Sequence, residues 1–247
     1  MNFSVHQASH IGHRKYNQDR VAYVYNQDAL LLLLADGMGG HLHGEMAAST
    51  AISTFIEAFA NAFPVLLEDA ELFLSNVMRH AHNRVLSISN DKRRDDAPGT
   101  TCVAAMVING KLHYAHAGDS RLYLLRGGRV LARTLDHSLV SHWIQWGMLT
   151  EEQARTHPQR NQITNCLGGA EEVFYMDMAD PITLEAGDVL LLGSDGLWSP
   201  FSDAELVSAF GNNNNTDAVL QSLVVAALER EPGRADNISG LVVRWGD

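Results

Sequence analysis

Four aspartates are marked out by where they fall in the chain. Asp36 follows the apolar run Leu30–Ala35 and opens Asp36-Gly37-Met38-Gly39-Gly40. Asp119 follows a run ending in Ala117-Gly118, Asp195 follows Val189–Ser194 and precedes Gly196, and Asp236 immediately precedes Asn237 and the closing apolar run. Taken singly, Asp-Gly after a strand reads as a turn, because both residues tolerate its backbone angles. Four carboxylates at the ends of buried strands read differently. Like charges raise one another's proton affinity, so such groups converge only where a cation compensates them. Hard divalent cations do so, preferring carboxylate and carbonyl oxygens. Gly37 serves the same chemistry, since a residue without a side chain lets its carbonyl approach an ion closely. An anion-gripping group should face this centre. Arg14, in Gly12-His13-Arg14-Lys15-Tyr16-Asn17-Gln18-Asp19, is the candidate, because a guanidinium holds phosphate oxygens in bidentate fashion.

Competing chemistries fail on spacing. A cysteine phosphatase loop needs arginine six residues after its cysteine, and those positions after Cys102 and Cys166 hold Ile108 and Glu172. A G-x4-G-K-[ST] phosphate loop is absent from the sequence. His41-Leu42-His43-Gly44-Glu45 begins like the H-x-H-x-D-H zinc motif of metallo-β-lactamases, but Glu45 and Met46 stand at its last two positions. Two distant cysteines make neither a thiolate site nor a disulfide framework, which fits a reducing compartment.

The elements that must position these residues follow from patterning. Ala29–Ala35 is continuously apolar and reads as a strand buried on both faces. Helical patterns follow over about 44–62 and 69–90, separated by Pro64. Short strands are expected at Thr100–Ile108, Lys111–Ala117, Arg121–Leu125 and Val130–Arg133, punctuated by Asn109-Gly110, Gly118-Asp119 and Gly127-Gly128. Residues 138–158 read as two helical pieces broken at Gly147 and ended by Pro158. Val189–Gly193 and Ile238–Trp245 read as strands, Thr216–Glu231 as a helix, and Asn212–Asn215 as a polar loop. Strands, two helices, many strands, then helix and strand predict an α+β fold of packed sheets with helices outside.

At 247 residues the chain suits a single domain spanning 1–247. Its 29 acidic against 18 basic residues give a net charge of −11, which repels nucleic acid and anionic membrane and makes both poor partners. The start of the chain lacks the basic and apolar regions of an export signal, and the longest apolar run is too short to span a bilayer. A cytoplasmic protein is the expectation.

Together these segments resemble the type 2C family of metal-dependent serine/threonine protein phosphatases, in its compact bacterial form. Arg14–Asp19 resembles the R-x-x-N-[EQ]-D motif and Ala35–His41 the D-G-M-G-G-H loop. Gly99-Thr100-Thr101 and Gly118-Asp119-Ser120-Arg121 resemble two internal motifs. Asp136-His137-Ser138 with residues 139–168 resembles the family's flap, and Ser194–Trp198 and Asp236–Ser239 resemble the last two metal motifs. The resemblance implies a four-layer α/β/β/α sandwich with metals at one end of two mainly antiparallel sheets. It implies Asp36 bridging two Mn²⁺ or Mg²⁺ ions with the Gly37 carbonyl on one, Asp195 and Asp236 completing the other, and Asp119 with Asp195 holding a third, weaker ion. Asp19 would orient metal-bound water, Arg14 would clamp the phosphoryl group, and a hydroxide between the ions would attack phosphorus without a phosphoenzyme. Phosphorylated proteins are the implied substrates, with a serine/threonine kinase as counterpart and a monomer as assembly. Three positions depart from relatives: Met38 where eukaryotic members have a histidine, Gln18 in place of a glutamate, and Ser199 where many carry a further acid. The alternative function is a degenerate relative serving as a binding module, against which the four aspartates argue.

Overall fold

The run beginning at Ala29 alternates its side chains between two apolar layers. In a computed structural model of the protein, which describes residues 1–39, 42–62, 69–88, 97–169, 174–211 and 215–246, this run lies at the centre of an eight-stranded sheet. The chain begins with β1 (Phe3–His10), β2 (Asp19–Tyr25), β3 (Ala29–Met38), α1 (Leu42–Ala62) and α2 (Ala70–Leu86). Strands β4 (Gly99–Thr100), β5 (Cys102–Ile108), β6 (Lys111–Ala117), β7 (Arg121–Arg126) and β8 (Arg129–Arg133) follow, then α3 (Leu139–Gln145) and α4 (Glu151–Arg155). Next come β9 (Leu167–Gly168), β10 (Asp177–Met178), β11 (Ile182–Thr183) and β12 (Val189–Gly193). The chain closes with α5 (Asp195–Trp198), α6 (Asp203–Gly211), α7 (Thr216–Arg230) and β13 (Ile238–Trp245).

One sheet runs β1-β13-β12-β7-β8; the other runs β10-β6-β5-β3-β4-β9, with β11 on β6 and β2 on β3. Strand pairing is antiparallel throughout both. Between the sheets Leu30, Leu32 and Leu34 of β3 meet Leu122, Leu190 and Leu241. Leu31, Leu33 and Ala35 point the other way, onto Phe55 of α1 and Leu74 and Met78 of α2. The second sheet's outer face packs Leu191 and Val242 against Phe210 and Leu220 of α6 and α7. Period-two alternation on a strand buried on both faces thus yields an unbroken apolar run. The result is the expected α/β/β/α sandwich.

The turns obey their sequences. Asn109 and Gly110 both take positive φ, 52° and 70°, between β5 and β6, and Gly127 and Gly128 do so between β7 and β8. The helical segment after Ser138 divides as expected: Ser138 caps α3, Gly147 turns the chain at φ 71°, and a Thr150–Gln153 capping box starts α4. This flap closes where Ser138 bridges Ile163.

Several boundaries differ from expectation. Strand β3 continues through Asp36 to Met38, because β2 and β4 offer it partners there. The expected Thr100–Ile108 strand is two, β4 and β5, broken at Thr101. Helix α2 ends at Leu86, residues 89–90 lying outside the described residues, as do Gly40, His41, Pro64 and Asn212–Asn214. Helix α4 stops at Arg155, three residues before Pro158. Strands β1 and β2 and helix α6 have no counterpart in the sequence reading. The histidines and exposed polar residues of β1 and β2 blur their alternation, and α6 is only nine residues long.

Candidate metal centre and substrate cleft

The antiparallel register sets the first two carboxylates side by side, Asp19 of β2 opposite Asp36 of β3. Gly37 pairs with Thr100 one position on. Asp119 occupies the tight connection from β6 to β7, Asp195 begins α5 directly after β12, and Asp236 precedes β13. These ends share one cleft of about 610 Å³, lined among others by Arg14, Asp36, Gly37, Asp119, Asp195 and Asp236. Asp19 lies beneath it, 2% exposed. All seven candidate residues therefore belong to one end of the sandwich.

Their supports are specific. The Thr101 side chain accepts the Asp36 N–H at 2.9 Å, and the Thr101 N–H and the Thr100 hydroxyl both donate to the Asp36 carbonyl. Ser194 donates to Asp19 Oδ2 at 2.8 Å. Asn237 is saturated: it accepts the Gln18 N–H at 2.8 Å and donates to the carbonyls of Ile11 and Tyr16. That ties the loop carrying Arg14 to the residue beside Asp236. Gly12 has φ 64° and lies so close that a Cβ would meet the Asp236 carbonyl at 1.8 Å. A side chain there is excluded on both counts. Thr101 and Ser194 fall inside the motif segments Gly99-Thr100-Thr101 and Ser194–Trp198, but the sequence assigns neither hydroxyl a role. Their signal is a hydroxyl residue set at the end of an otherwise apolar strand.

Arg14 Nη2 donates to Asp236 Oδ2 at 2.5 Å, and the Asn237 N–H donates to Asp236 Oδ1. This ion pair raises the proton affinity of Arg14. The other carboxylates are less well compensated. Burial first, then the charges of Asp19, Asp195, Asp119 and Asp236, holds Asp36 well above the usual carboxylate range. Burial, Asp119 and Asp236 do the same to Asp195. Burial pushes Asp19 up to about 6, although Ser194 opposes it, and burial with Asp136 pushes Asp119 up to about 7. Among the described residues, one buried oxygen each of Asp19 and Asp195 lacks a hydrogen-bond partner.

Clustered acids with orphaned oxygens are what a divalent cation site requires of a protein. The donor set, carboxylates and a glycine carbonyl without thiolate or imidazole, suits Mg²⁺ or Mn²⁺. Among the described residues only His116, His137 and Asp177 gather three ligand atoms within 4.8 Å of one another. In that cluster the hydrogen bonds fix the histidine tautomers, leaving His116 Nδ1 buried without a partner among the described residues. His116 Nε2 donates to the Leu135 carbonyl at 2.8 Å. His137 Nδ1 accepts both the Gly118 N–H and Asn165 Nδ2, whose amide is oriented by the Tyr175 backbone. The neutral ring's proton is therefore on Nε2, facing Asp177 Oδ2 at 3.2 Å, with no lone pair to give. His137 instead anchors the flap's return.

The profile of the Protein phosphatase 2C family matches residues 6–225. The chain belongs to the protein phosphatase 2C family. It is 38% identical to the protein phosphatase PhpP of Streptococcus pneumoniae over 201 residues, covering 78% of each chain. The serine/threonine phosphatase Stp1 of Staphylococcus aureus superposes with a TM-score of 0.89 at 30% identity, covering all of this chain and 96% of that one. The catalytic domain of the serine/threonine phosphatase PstP, solved with two manganese ions, superposes at 0.78 with 28% identity, covering 98% and 97%. As a member of this metal-dependent family, the chain is a serine/threonine protein phosphatase.

Proposed function

We propose that this protein phosphatase 2C member hydrolyses phosphoserine and phosphothreonine esters of proteins at the cleft between Arg14 and the four aspartates. The observation that carries the reading is the set of buried, mutually repelling carboxylates with unpartnered oxygens at one end of the sandwich. Asp36, Asp195, Asp236 and the Gly37 carbonyl would hold two Mn²⁺ or Mg²⁺ ions, and Asp119 with Asp195 a third, weaker one. When bound, such ions supply Lewis-acid charge and lower the pKa of water toward neutrality. Arg14 is more than half exposed and keeps further N–H donors at the cleft, suited to gripping phosphoryl oxygens as charge builds on them. Asp19, whose buried Oδ1 has no hydrogen-bond partner among the described residues, is suited to accept a hydrogen bond from the attacking water and so to orient it. No cysteine lines the cleft, in keeping with direct attack by water on phosphorus. The ester P–O bond breaks as the new bond forms, and the serine or threonine oxygen leaves with a proton from solvent, Met38 offering none.

In this reading residues 1–247 act as one catalytic domain, a cytoplasmic monomer opposing a cognate serine/threonine kinase. No described helix is long and apolar enough to cross a membrane. The test is phosphate release from a phosphothreonine peptide with Mn²⁺ or Mg²⁺ and again after EDTA. Turnover should require the cation and fall to background in Asp36→Asn. Turnover that survives both treatments would overturn the assignment.

A further inference from the structure

A second cavity, of about 440 Å³, lies beside the cleft under the flap and shares Asp119, Asp195 and Asn161 with it. Leu135, Val140, Ile144 and Trp198 give it apolar surface. Five arginines, Arg121, Arg133, Arg155, Arg160 and Arg234, also line it, in a chain whose acids outnumber its bases 29 to 18. Five acids, Asp119, Asp136, Glu151, Asp195 and Glu231, line it too, so what matters is which arginines they leave unpaired.

Three of the five are already committed. Arg121 makes a bidentate pair with Asp136, both contacts 2.7 Å, and stacks 3.3 Å over the Trp198 ring. Arg133 pairs with Asp203 at 2.8 Å and reaches Glu151, and Arg234 pairs with Glu231. The other two are not. Arg155 donates to the Phe201 carbonyl at 3.0 Å, which leaves its charge unpaired. Arg160 has no side-chain hydrogen bond or ion pair among the described residues. The remaining acids of the lining, Asp119 and Asp195, are the ones assigned to cations above. Arg155 and Arg160 are thus the cavity's uncompensated charges, both carried by the flap.

We infer that this cavity receives an anionic side chain of the phosphoprotein, a carboxylate or a second phosphate, held by Arg155 and Arg160 while the scissile phosphoryl group lies in the neighbouring cleft. The inference rests on the phosphatase reading of that cleft. Guanidinium groups suit both ligand types. Trp146, next in the chain to the cavity residue Gln145, and Met148 are 68% and 65% exposed, apolar surface that a polypeptide would cover and a small ester would not. Both arginines are solvent-accessible, so the attraction should be modest, act mainly on KM and weaken with salt.

The experiment uses the Mn²⁺-loaded enzyme and phosphothreonine peptides in which one residue, Glu or Ala, is scanned through the positions flanking the phosphothreonine. One register should favour Glu over Ala by about five- to tenfold in kcat/KM, with the gain shrinking at about 0.5 M KCl. In Arg160→Ala that Glu-to-Ala ratio should fall toward one, and in Arg160→Glu it should invert, so that Ala is preferred to Glu at the same position. A second phosphothreonine in the preferred register that exceeds Glu identifies a phosphate as the ligand, and one that falls below Glu identifies a carboxylate. No preferred register, or a preference untouched by both Arg160→Ala and Arg155→Ala in variants of unchanged melting temperature, would overturn the cavity's role and leave the phosphatase reading standing. Absence of Mn²⁺-dependent turnover for every peptide would overturn both.

Discussion

Removing the cations should leave the fold paying most where the pH is highest, and Asp119→Asn measures how much. Asp119 is 7% exposed and pushed up to about 7, chiefly by burial and Asp136, against about 3.9 in an unfolded chain. A raised folded pKa means that the native state binds the proton more tightly than the unfolded state. Its stability is therefore greatest below the unfolded value, falls as pH rises, and levels off above the folded value. Each tenfold difference in proton affinity is worth 1.36 kcal/mol, so the full penalty is about 4 kcal/mol and the part falling between pH 5 and pH 8 is roughly 2–3 kcal/mol. Other groups titrate in this window. Burial lowers His82, His113, His116 and His137, which adds stability as pH rises through about 6.5 and opposes the aspartates. Glu205, held near 2 by Arg230 and Ser202, titrates below the window. The comparison that reads Asp119, together with its repulsion of Asp36 and Asp195, is therefore wild type against Asp119→Asn in EDTA, followed by thermal unfolding at pH 5, 6, 7 and 8. The variant should gain on wild type by roughly 4–12 °C across the series, at about 2–4 °C per kcal/mol for a chain of this size. Mn²⁺ should stabilise wild type most at the alkaline end, because the ions need ionised carboxylates. A variant that tracks wild type at every pH would refute the claim that unpaired burial, and not some hidden partner, governs this carboxylate.

Two further outcomes follow from the packing and the loop. Phe55→Ala, at a fully buried position between α1 and the β3 sheet, should cost about 3–5 kcal/mol, read as a lower denaturant midpoint at unchanged m-value. Asn237→Ala removes three hydrogen bonds that hold the Arg14 loop, so KM for a phosphopeptide should rise about tenfold with a smaller change in kcat, at a stability cost of about 2–3 kcal/mol. Equal losses in kcat and KM, or none, would remove Asn237 from the loop's support.

The parts of the molecule legible in the sequence are those where one physical demand dominates. Ala29–Ala35 could only be a strand buried on both faces, and the Asn109-Gly110 and Gly127-Gly128 turns needed the positive φ that their residues allow. The aspartates were legible for the same reason, because their repulsion has few structural remedies. Strands β1 and β2 were not. Their hydrophobic signal is weak because their stability comes from partners far along the chain, β13 for one and β3 for the other. The same long-range pairing hid the surroundings of Asp19: the β2–β3 register sets it opposite Asp36, and Ser194, 175 residues away, donates to its Oδ2. Arg14 illustrates the limit from the other side. Its type announced an anion grip, yet in the folded chain its nearest anion is Asp236, a proposed cation ligand. A guanidinium and a divalent cation would then compete for one carboxylate. Cation binding should weaken the Arg14–Asp236 pair and leave the guanidinium freer for phosphate, coupling the metal centre to substrate recognition through a contact that neither residue reveals alone.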